Sequence, residues 1–315
     1  MSLEFEFFYS AFCLLTSAFS PNYIMITSTK NKKIVDLKKL TQRKHRRAQN
    51  RFMVEGLQLL AMALEGHFTP LDVFFCEDLF TGKHAPILLE QFIQAGAKTY
   101  PISPNIMQSL SERDSPQGLI ATFPLFNNLF VNNNLLESLF TTIITKKNSI
   151  FILILDQLQD PGNLGTLIRT ADAIAADAVI LIEPCVDVFD PKTVRGSMGS
   201  IFTLPIISIT NITELVTHLH QHQYNLSGAD GYQGDIPWIP HAQALQGSTA
   251  LFLGNEARGL SAEIRPHLTQ WVRLPLLGKA ESLNVAVAGG VLMYQWLQKN
   301  REWRMENGEW RINRG

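Results

Sequence analysis

Short apolar runs alternate with stretches of helical period in two successive series along this chain. In the first, Phe52-Met53-Val54 reads as a short strand, and the run from Gly56 to Leu64 reads as a helix. Strand-like residues 71–75, a helical run over 87–94, and strand-like residues 98–101 and 119–123 continue the alternation. Together they predict a small α/β domain over residues 25–123. From Pro124 to Ser149 the pattern dissolves into Asn127, Asn128, Asn132, Asn133 and Asn134, followed by Lys146-Lys147-Asn148. That composition predicts a linker over 124–149.

The second series opens with Ile150-Phe151-Ile152-Leu153-Ile154-Leu155, the unbroken apolar run that a strand covered on both faces requires. A helix opening near Asn163, a strand over 178–182, a helix around 191–200, a strand over 205–209 and a helix over 212–222 are expected next. Strands over 225–227, 250–253 and 271–274 and a last helix over 283–298 complete the series. The economical fold for residues 150–300 is a parallel sheet with helices on both faces. The charged and aromatic tail over 301–315 suggests no function.

With 315 residues, 46% of them hydrophobic, the chain can bury a sizeable core and has the length of two domains. A formal net charge of −1 gives no overall attraction to nucleic acid, so any such contact requires a local basic surface. One stands at Lys30–Arg51, where Lys38, Lys39, Arg43, Lys44, Arg46, Arg47 and Arg51 are the candidate phosphate contacts and Asp36 is the single acid. A solvated helix face is the plainer reading of the same charges.

Cys13, Cys76 and Cys185 lie far apart with no CxxC pair, which suits a reducing cytoplasm and no structural zinc. His218 and His222 stand one helical turn apart without an acidic or Cys partner in sequence, so a metal site is not expected there. Residues 1–24 are rich in Phe and Leu but lead with Glu4 and Glu6 and no base, unlike a secretory signal. The apolar run is short for a membrane span and is broken by Ser10, Thr16 and Ser17, so no membrane association is expected. The segment reads as an upstream extension outside the fold, preceding a start at Met25.

Three blocks carry the chemistry. The first is Asn163-Leu164-Gly165-Thr166-Leu167-Ile168-Arg169-Thr170-Ala171. The second is Leu253-Gly254-Asn255-Glu256-Ala257-Arg258-Gly259-Leu260-Ser261. The third runs from Leu274-Pro275-Leu276-Leu277-Gly278 into Ser282-Leu283-Asn284-Val285-Ala286. Each places small or polar residues where a strand hands over to a helix, which is where open α/β sheets form their ligand crevice. In the first, Pro161-Gly162 makes a tight turn and Asn163 is a good N-cap. Arg169 falls within the apolar series Leu164, Leu167, Ile168 and Ala171 and is either a solvated arginine or a buried, paired one. A buried guanidinium needs an acceptor, and Glu256 is the candidate, since Gly254 and Gly259 allow close backbone approach. Neither GxxxxGK[ST] nor GxGxxG occurs, so nucleotide hydrolysis and dinucleotide binding have little support.

These blocks resemble the three motifs of the SpoU (TrmH) family of RNA ribose 2′-O-methyltransferases, within the SPOUT superfamily, over about residues 150–298. Val194–Ser200 also resembles a family stretch, with Gly196 and Met198 as departures expected to alter packing and not chemistry. Phe52-Met53-Val54-Glu55-Gly56 resembles part of the family's ribosomal-protein-like substrate-binding domain.

The resemblance implies a deep C-terminal trefoil knot, an S-adenosylmethionine pocket in the knotted loops, and a homodimer with the active site at its interface. It implies cofactor contacts from Gly254, Leu274 and Leu283, largely through backbone. It makes Arg169 the catalytic residue, with Asn163, Glu256, Ser282 and Asn284 beside it. A guanidinium is a poor base, so the expected mechanism has Arg169 bind a backbone phosphate and lower the effective pKa of the ribose hydroxyl, with Glu256 orienting Arg169. Ribosomal RNA is favoured over transfer RNA as the substrate. A noncatalytic RNA-binding assembly factor and, last, a small-molecule α/β enzyme are the alternatives.

Overall fold

Strand Arg51–Glu55 (β1) owes its place to alternation: Phe52 and Val54 point to one face and Met53 to the other, and all three are buried. The computed structural model describes residues 24–125, 133–144, 149–306 and 309–312, so the extension expected at residues 1–24 falls almost wholly outside the described residues. Ahead of β1 lie two short helices, Lys32–Lys39 (α1) and Arg43–Gln49 (α2). The Asn31 side chain caps α1 by accepting from the Lys33 N–H at 3.0 Å.

Helix Leu57–Glu65 (α3), strand Asp72–Phe75 (β2), helix His84–Gln94 (α4), strand Lys98–Pro101 (β3), helix Pro104–Leu110 (α5) and strand Leu119–Pro124 (β4) follow. The helix over 104–110 is not predicted from the pattern. The four strands form a mixed sheet in the order β1-β4-β2-β3, with β4 antiparallel to both neighbours and β2 parallel to β3. Ile34, Leu37, Ile106 and Met107 cover one face of it, and Leu59, Leu60, Leu88 and Phe92 the other.

The stretch expected to be a linker contains helix Asn133–Ile144 (α6). Its Leu136, Phe140 and Ile143 are buried in the core of the second sheet, because a three-to-four-residue apolar spacing makes a helix wherever a face is available to cover. His218 and His222 stack on Phe140 at 5.3 and 5.6 Å between ring centroids.

The second unit comprises strand Phe151–Asp156 (β5), helix Pro161–Ala173 (α7), strand Ala178–Ile182 (β6), helix Pro191–Gly196 (α8), strand Ile206–Ile209 (β7), helix Ile212–Gln221 (α9), strands Asn225–Ala229 (β8), Thr249–Leu253 (β9) and Gln270–Val272 (β10), and helix Val285–Asn300 (α10). All six strands are parallel, in the order β10-β8-β9-β5-β6-β7. In the tail, for which the sequence suggested no function, Trp303–Glu306 (β11) pairs with Glu309–Ile312 (β12) in an antiparallel hairpin.

The chain starts at the sheet centre, builds outward through β6 and β7, then crosses to the other side and returns to lay β9 against β5. That reversal puts a crevice at the carboxyl ends of β5 and β9. The two units share one apolar core: Phe52 meets Phe189 at 4.6 Å and Phe123 meets Phe202 at 5.3 Å between centroids. No helix among the described residues is long and apolar enough to cross a membrane.

Candidate active site

Both loops leaving the crevice are fastened at their roots. Asp156, the last residue of β5, is buried and accepts from the Ser261 N–H at 2.6 Å. Asn255 donates through Nδ2 to the Gln157 carbonyl at 2.9 Å, while its Oδ1 accepts from the N–H groups of Ala257 and Arg258. Sequence reasoning gave neither residue a role, although a carboxylate closing a wholly apolar strand was a visible signal. Gly254 makes this turn feasible. A Cβ there would lie 2.1 Å from the carbonyl carbon of Gly259, so the close approach it permits is to its own loop.

Helix α7 is capped by Asp160, which accepts from the Asn163 N–H at 2.8 Å, and not by Asn163 as the sequence suggested. Pro161 supplies a preset first residue, which moves the cap three positions upstream and leaves the Asn163 side chain free to reach across the crevice. Its Nδ2 donates to Glu256 Oε1 at 3.1 Å, and its Oδ1 accepts from Asn284 Nδ2 at 3.0 Å. Glu256 also accepts from the N–H groups of Gln159 and Asp160 at 3.2 and 3.1 Å. Asn284 in turn caps α10, accepting from the N–H groups of Ala286 and Val287. One residue from each sequence block therefore enters a single hydrogen-bonded chain.

The electrostatics follow from these bonds. Burial raises the pKa of the Glu256 carboxyl, but the hydrogen bonds from Asn163 and from nearby backbone N–H groups outweigh it and leave the group below its ordinary value. The Asp160 carboxyl is also lowered, first by the Asn163 N–H and then, against a smaller burial effect, by Lys192, whose Nζ is 3.3 Å away. Both stay anionic at neutral pH.

Arg169 corrects an expectation. It is exposed and forms no ion pair with Glu256, because the 100° step of a helix turns it away from the buried row Leu164, Leu167, Ile168 and Ala171. Glu256 is occupied by the first block's backbone and by Asn163 instead. Ser282 and Leu283 are also exposed, and Ser282 has no hydrogen-bond partner among the described residues. Leu274 is half-buried and packs against the main core. The structure thus brings Asn163, Glu256, Asn284 and Gly254 together, and leaves Arg169 and Ser282 open to a ligand.

Close helix packing holds the first block in place: a Cβ on Gly165 would stand 2.6 Å from the Thr193 carbonyl oxygen and 2.9 Å from the Gly196 Cα. Gly196 therefore matters for packing. On its other side, α7 lies against α10, where Gly289 faces Leu167.

The basic stretch divides. Arg46 is 2% exposed, held by Asp187 at 2.6 Å and by the Leu40 carbonyl, so it is an interdomain tie and not an RNA contact. Arg43 reaches Glu183 and Arg51 pairs with Asp72, which removes both from the free basic surface. Lys39 pairs with Asp36 but is itself exposed, as are Lys38, Lys44 and Arg47. Acidic partners distant in sequence explain why the charge count overstated the surface. Among the described residues no group of three His, Cys, Asp or Glu side chains is gathered for a metal.

Leu283, 42% exposed, precedes the Asn284 cap of α10, and the half-buried Leu274 follows β10. Residues 150–294 match the SpoU rRNA Methylase family, and residues 31–121 match the MRM3-like substrate binding domain. The chain is 32% identical to the 23S rRNA (guanosine(2553)-2′-O)-methyltransferase RlmP of Bacillus subtilis, over 85% of this chain and 97% of that protein. It is 28% identical to the 23S rRNA (guanosine-2′-O-)-methyltransferase RlmB of Bordetella pertussis, over 70% and 85% respectively. The crystal structure of the AdoMet-bound rRNA methyltransferase from Sinorhizobium meliloti superposes with a TM-score of 0.73 at 26% identity, covering 87% of this chain and 97% of that one.

Proposed function

Because this chain belongs to the SpoU rRNA methylase family, we propose that it methylates the ribose 2′-hydroxyl of a guanosine in ribosomal RNA. The observation that carries this reading is the chain Glu256–Asn163–Asn284, which locks the three motif loops around the crevice while Arg169 projects free from the same helix as Asn163. The guanosine and the ribosomal substrate are taken from the names of the two bacterial relatives.

S-adenosylmethionine, which is bound in the Sinorhizobium structure, supplies the electrophilic methyl group. Gly254, Leu274 and Leu283 hold it, through backbone and apolar contact. A ribose hydroxyl is a weak acid and must be aligned and made more acidic. Arg169, exposed and without a partner among the described residues, engages an RNA phosphate next to the target and favours the developing alkoxide, with the phosphate as the route for the proton. Ser282 is free to bind the nucleotide. Glu256 holds Asn163 and the first loop, and so acts on Arg169 only through the position of α7.

The reading includes a homodimer and a trefoil knot. Val287, Val291 and Tyr294 form an exposed stripe on α10, at 55%, 38% and 52% exposure, which a second copy would cover. For the knot, the support is the path from β10 at the sheet edge back to α10, whose Trp296 packs on Phe151 of the central strand β5. Buried, unpaired Cys76 and Cys185 suit a cytoplasmic site of action.

The test is to incubate the protein with methyl-labelled S-adenosylmethionine and separate pools of unmodified ribosomal and transfer RNA, then map the label by nuclease digestion and mass spectrometry. Label on the 2′-oxygen of a ribosomal guanosine is expected. Label confined to transfer RNA would overturn the substrate, and no transfer in the presence of bound cofactor would favour a noncatalytic role.

A further inference from the structure

Tyr232, three residues past the carboxyl end of β8, is 82% exposed. Its ring and hydroxyl have no partner among the described residues, so the fold does not use the side chain. The backbone that carries it is nevertheless firmly built. Asp230 Oδ1 accepts from the N–H groups of Tyr232 and Gln233 at 2.9 and 3.3 Å, a turn closed by a side chain, and the Asp230 N–H donates to the Val272 carbonyl at 3.0 Å. Beyond the turn, the Asp235 N–H donates to the Trp271 carbonyl and the Arg273 N–H to the Asp235 carbonyl, both at 2.9 Å. Gly234, at φ +105°, lets the chain press on Trp271, whose carbonyl a Cβ would strike. Both ends of the turn are thus stitched to β10. Arg273 lies beside it: its Nε donates to the Gly234 carbonyl at 3.2 Å, and its terminal nitrogens have no partner among the described residues. The carboxylates of the turn are engaged elsewhere, Asp230 with its own turn and Arg265, and Asp235 with the Gln243 N–H. In the sheet β8 lies between β10 and β9, and Arg273 directly precedes Leu274, so ring and guanidinium stand at the rim of the crevice.

We propose that Tyr232 is a stacking platform for an unpaired base of the substrate RNA next to the target nucleotide, and that Arg273 takes an adjoining phosphate. The inference rests on the RNA methyltransferase reading. An open aromatic face beside a guanidinium with free donors is the combination by which single-stranded nucleic acid is held, the ring taking a base and the cation the backbone. The cofactor positions lie along the second and third blocks at Gly254, Leu274 and Leu283, which leaves a ring on the rim to a ligand that enters from outside. A turn fixed before binding loses little entropy when a base stacks on it. A stacked neighbour also restricts the sugar that follows, and in-line methyl transfer requires that sugar's hydroxyl to be oriented. Stacking needs an unpaired base, so the platform selects a loop over duplex, which phosphate contacts alone do not do.

The experiment uses the full chain and an unmodified transcript of 23S rRNA, and compares the parent with Tyr232→Ala, Tyr232→Phe and Arg273→Gln. RNA affinity by filter binding, KM for RNA in methyl transfer and cofactor affinity by calorimetry are read for each. Tyr232→Ala should weaken RNA binding and raise KM about tenfold, and Tyr232→Phe should restore both, because stacking needs the ring and not the hydroxyl. Arg273→Gln should weaken RNA binding and lower the salt slope by about one unit. Cofactor affinity and melting temperature should stay at the parent's values in both Tyr232 variants, since the exposed ring supports nothing in the fold. Unchanged RNA affinity and KM in Tyr232→Ala would overturn the platform. Lost cofactor affinity with RNA affinity intact would overturn it too, and make the ring a cover for the cofactor. A parent that binds RNA tenfold more tightly than Tyr232→Ala but transfers no methyl group would retain the platform and sink the methyltransferase reading instead.

Discussion

Asn284 Nδ2 donates to Asn163 Oδ1 across 3.0 Å, joining the N-cap of the last helix to the first turn of α7, 121 residues away in sequence. The last helix cannot shift without moving the first block, so the crevice is set by this contact as much as by the sheet. Removing the amide in Asn284→Ala deletes an N-cap and the bridge together. A loss of about 1 kcal/mol of stability is expected, with weaker cofactor binding. Denaturant melts and cofactor calorimetry read both; unchanged cofactor affinity would show that the bridge does not shape the pocket.

Arg169→Ala is expected to reduce methyl transfer at least about a hundredfold, the scale of losing a preorganised charge from a transition state. Stability should move by no more than about 0.5 kcal/mol because the side chain is exposed and has no ion pair among the described residues. Single-turnover rates at saturating cofactor, set beside cofactor affinity, decide the matter. Lost cofactor binding would make Arg169 a structural residue.

The depressed pKa values of Glu256 and Asp160 fix a sign for the pH dependence. A carboxylate held below its unfolded value contributes stability that is complete above that value, about 4 for these residues, and is lost as pH falls through the lower folded value. The loop clasp is therefore flat from pH 6 to 8 and fails only in acid. Thermal melts from pH 3 to 8 should show the parent losing stability below about pH 4, with Glu256→Gln losing less there. A slope near neutrality removed by that substitution would contradict the assignment.

Substituting Ala at Gly165 forces a Cβ against the Thr193 carbonyl, and α7 and α8 must part. Overpacking of this kind costs about 1–3 kcal/mol. Gly254→Ala, with its contact at 2.1 Å, should distort the second loop and abolish cofactor binding even where the fold survives. Urea titration with cofactor calorimetry separates the two effects.

Arg46→Met and Lys44→Ala should part company. The first leaves Asp187 facing a broken, buried pair, with an expected loss of about 3–5 kcal/mol. The second leaves stability intact but weakens RNA binding and lowers the salt slope by roughly one unit. Equal effects on RNA affinity at matched stability would return Arg46 to the RNA surface.

Periodicity alone determined most of the elements in the two series, because runs such as Ile150–Leu155 and 178–182 admit no other covered structure. The three polar blocks also marked the crevice. What they could not reveal is partnership. Glu256 was assigned to Arg169 from chemistry alone, yet only the packed sheet placed Asn163, Gln159 and Asp160 within its reach and turned Arg169 to solvent. Arg46 looked like its basic neighbours until the fold brought Asp187 to it, and α6 looked like a linker until Phe140 had a face to cover. Hydrophobic spacing is a local property written in neighbouring residues; pairing of charges and amides depends on distances between segments far apart in the chain, which only the tertiary structure decides.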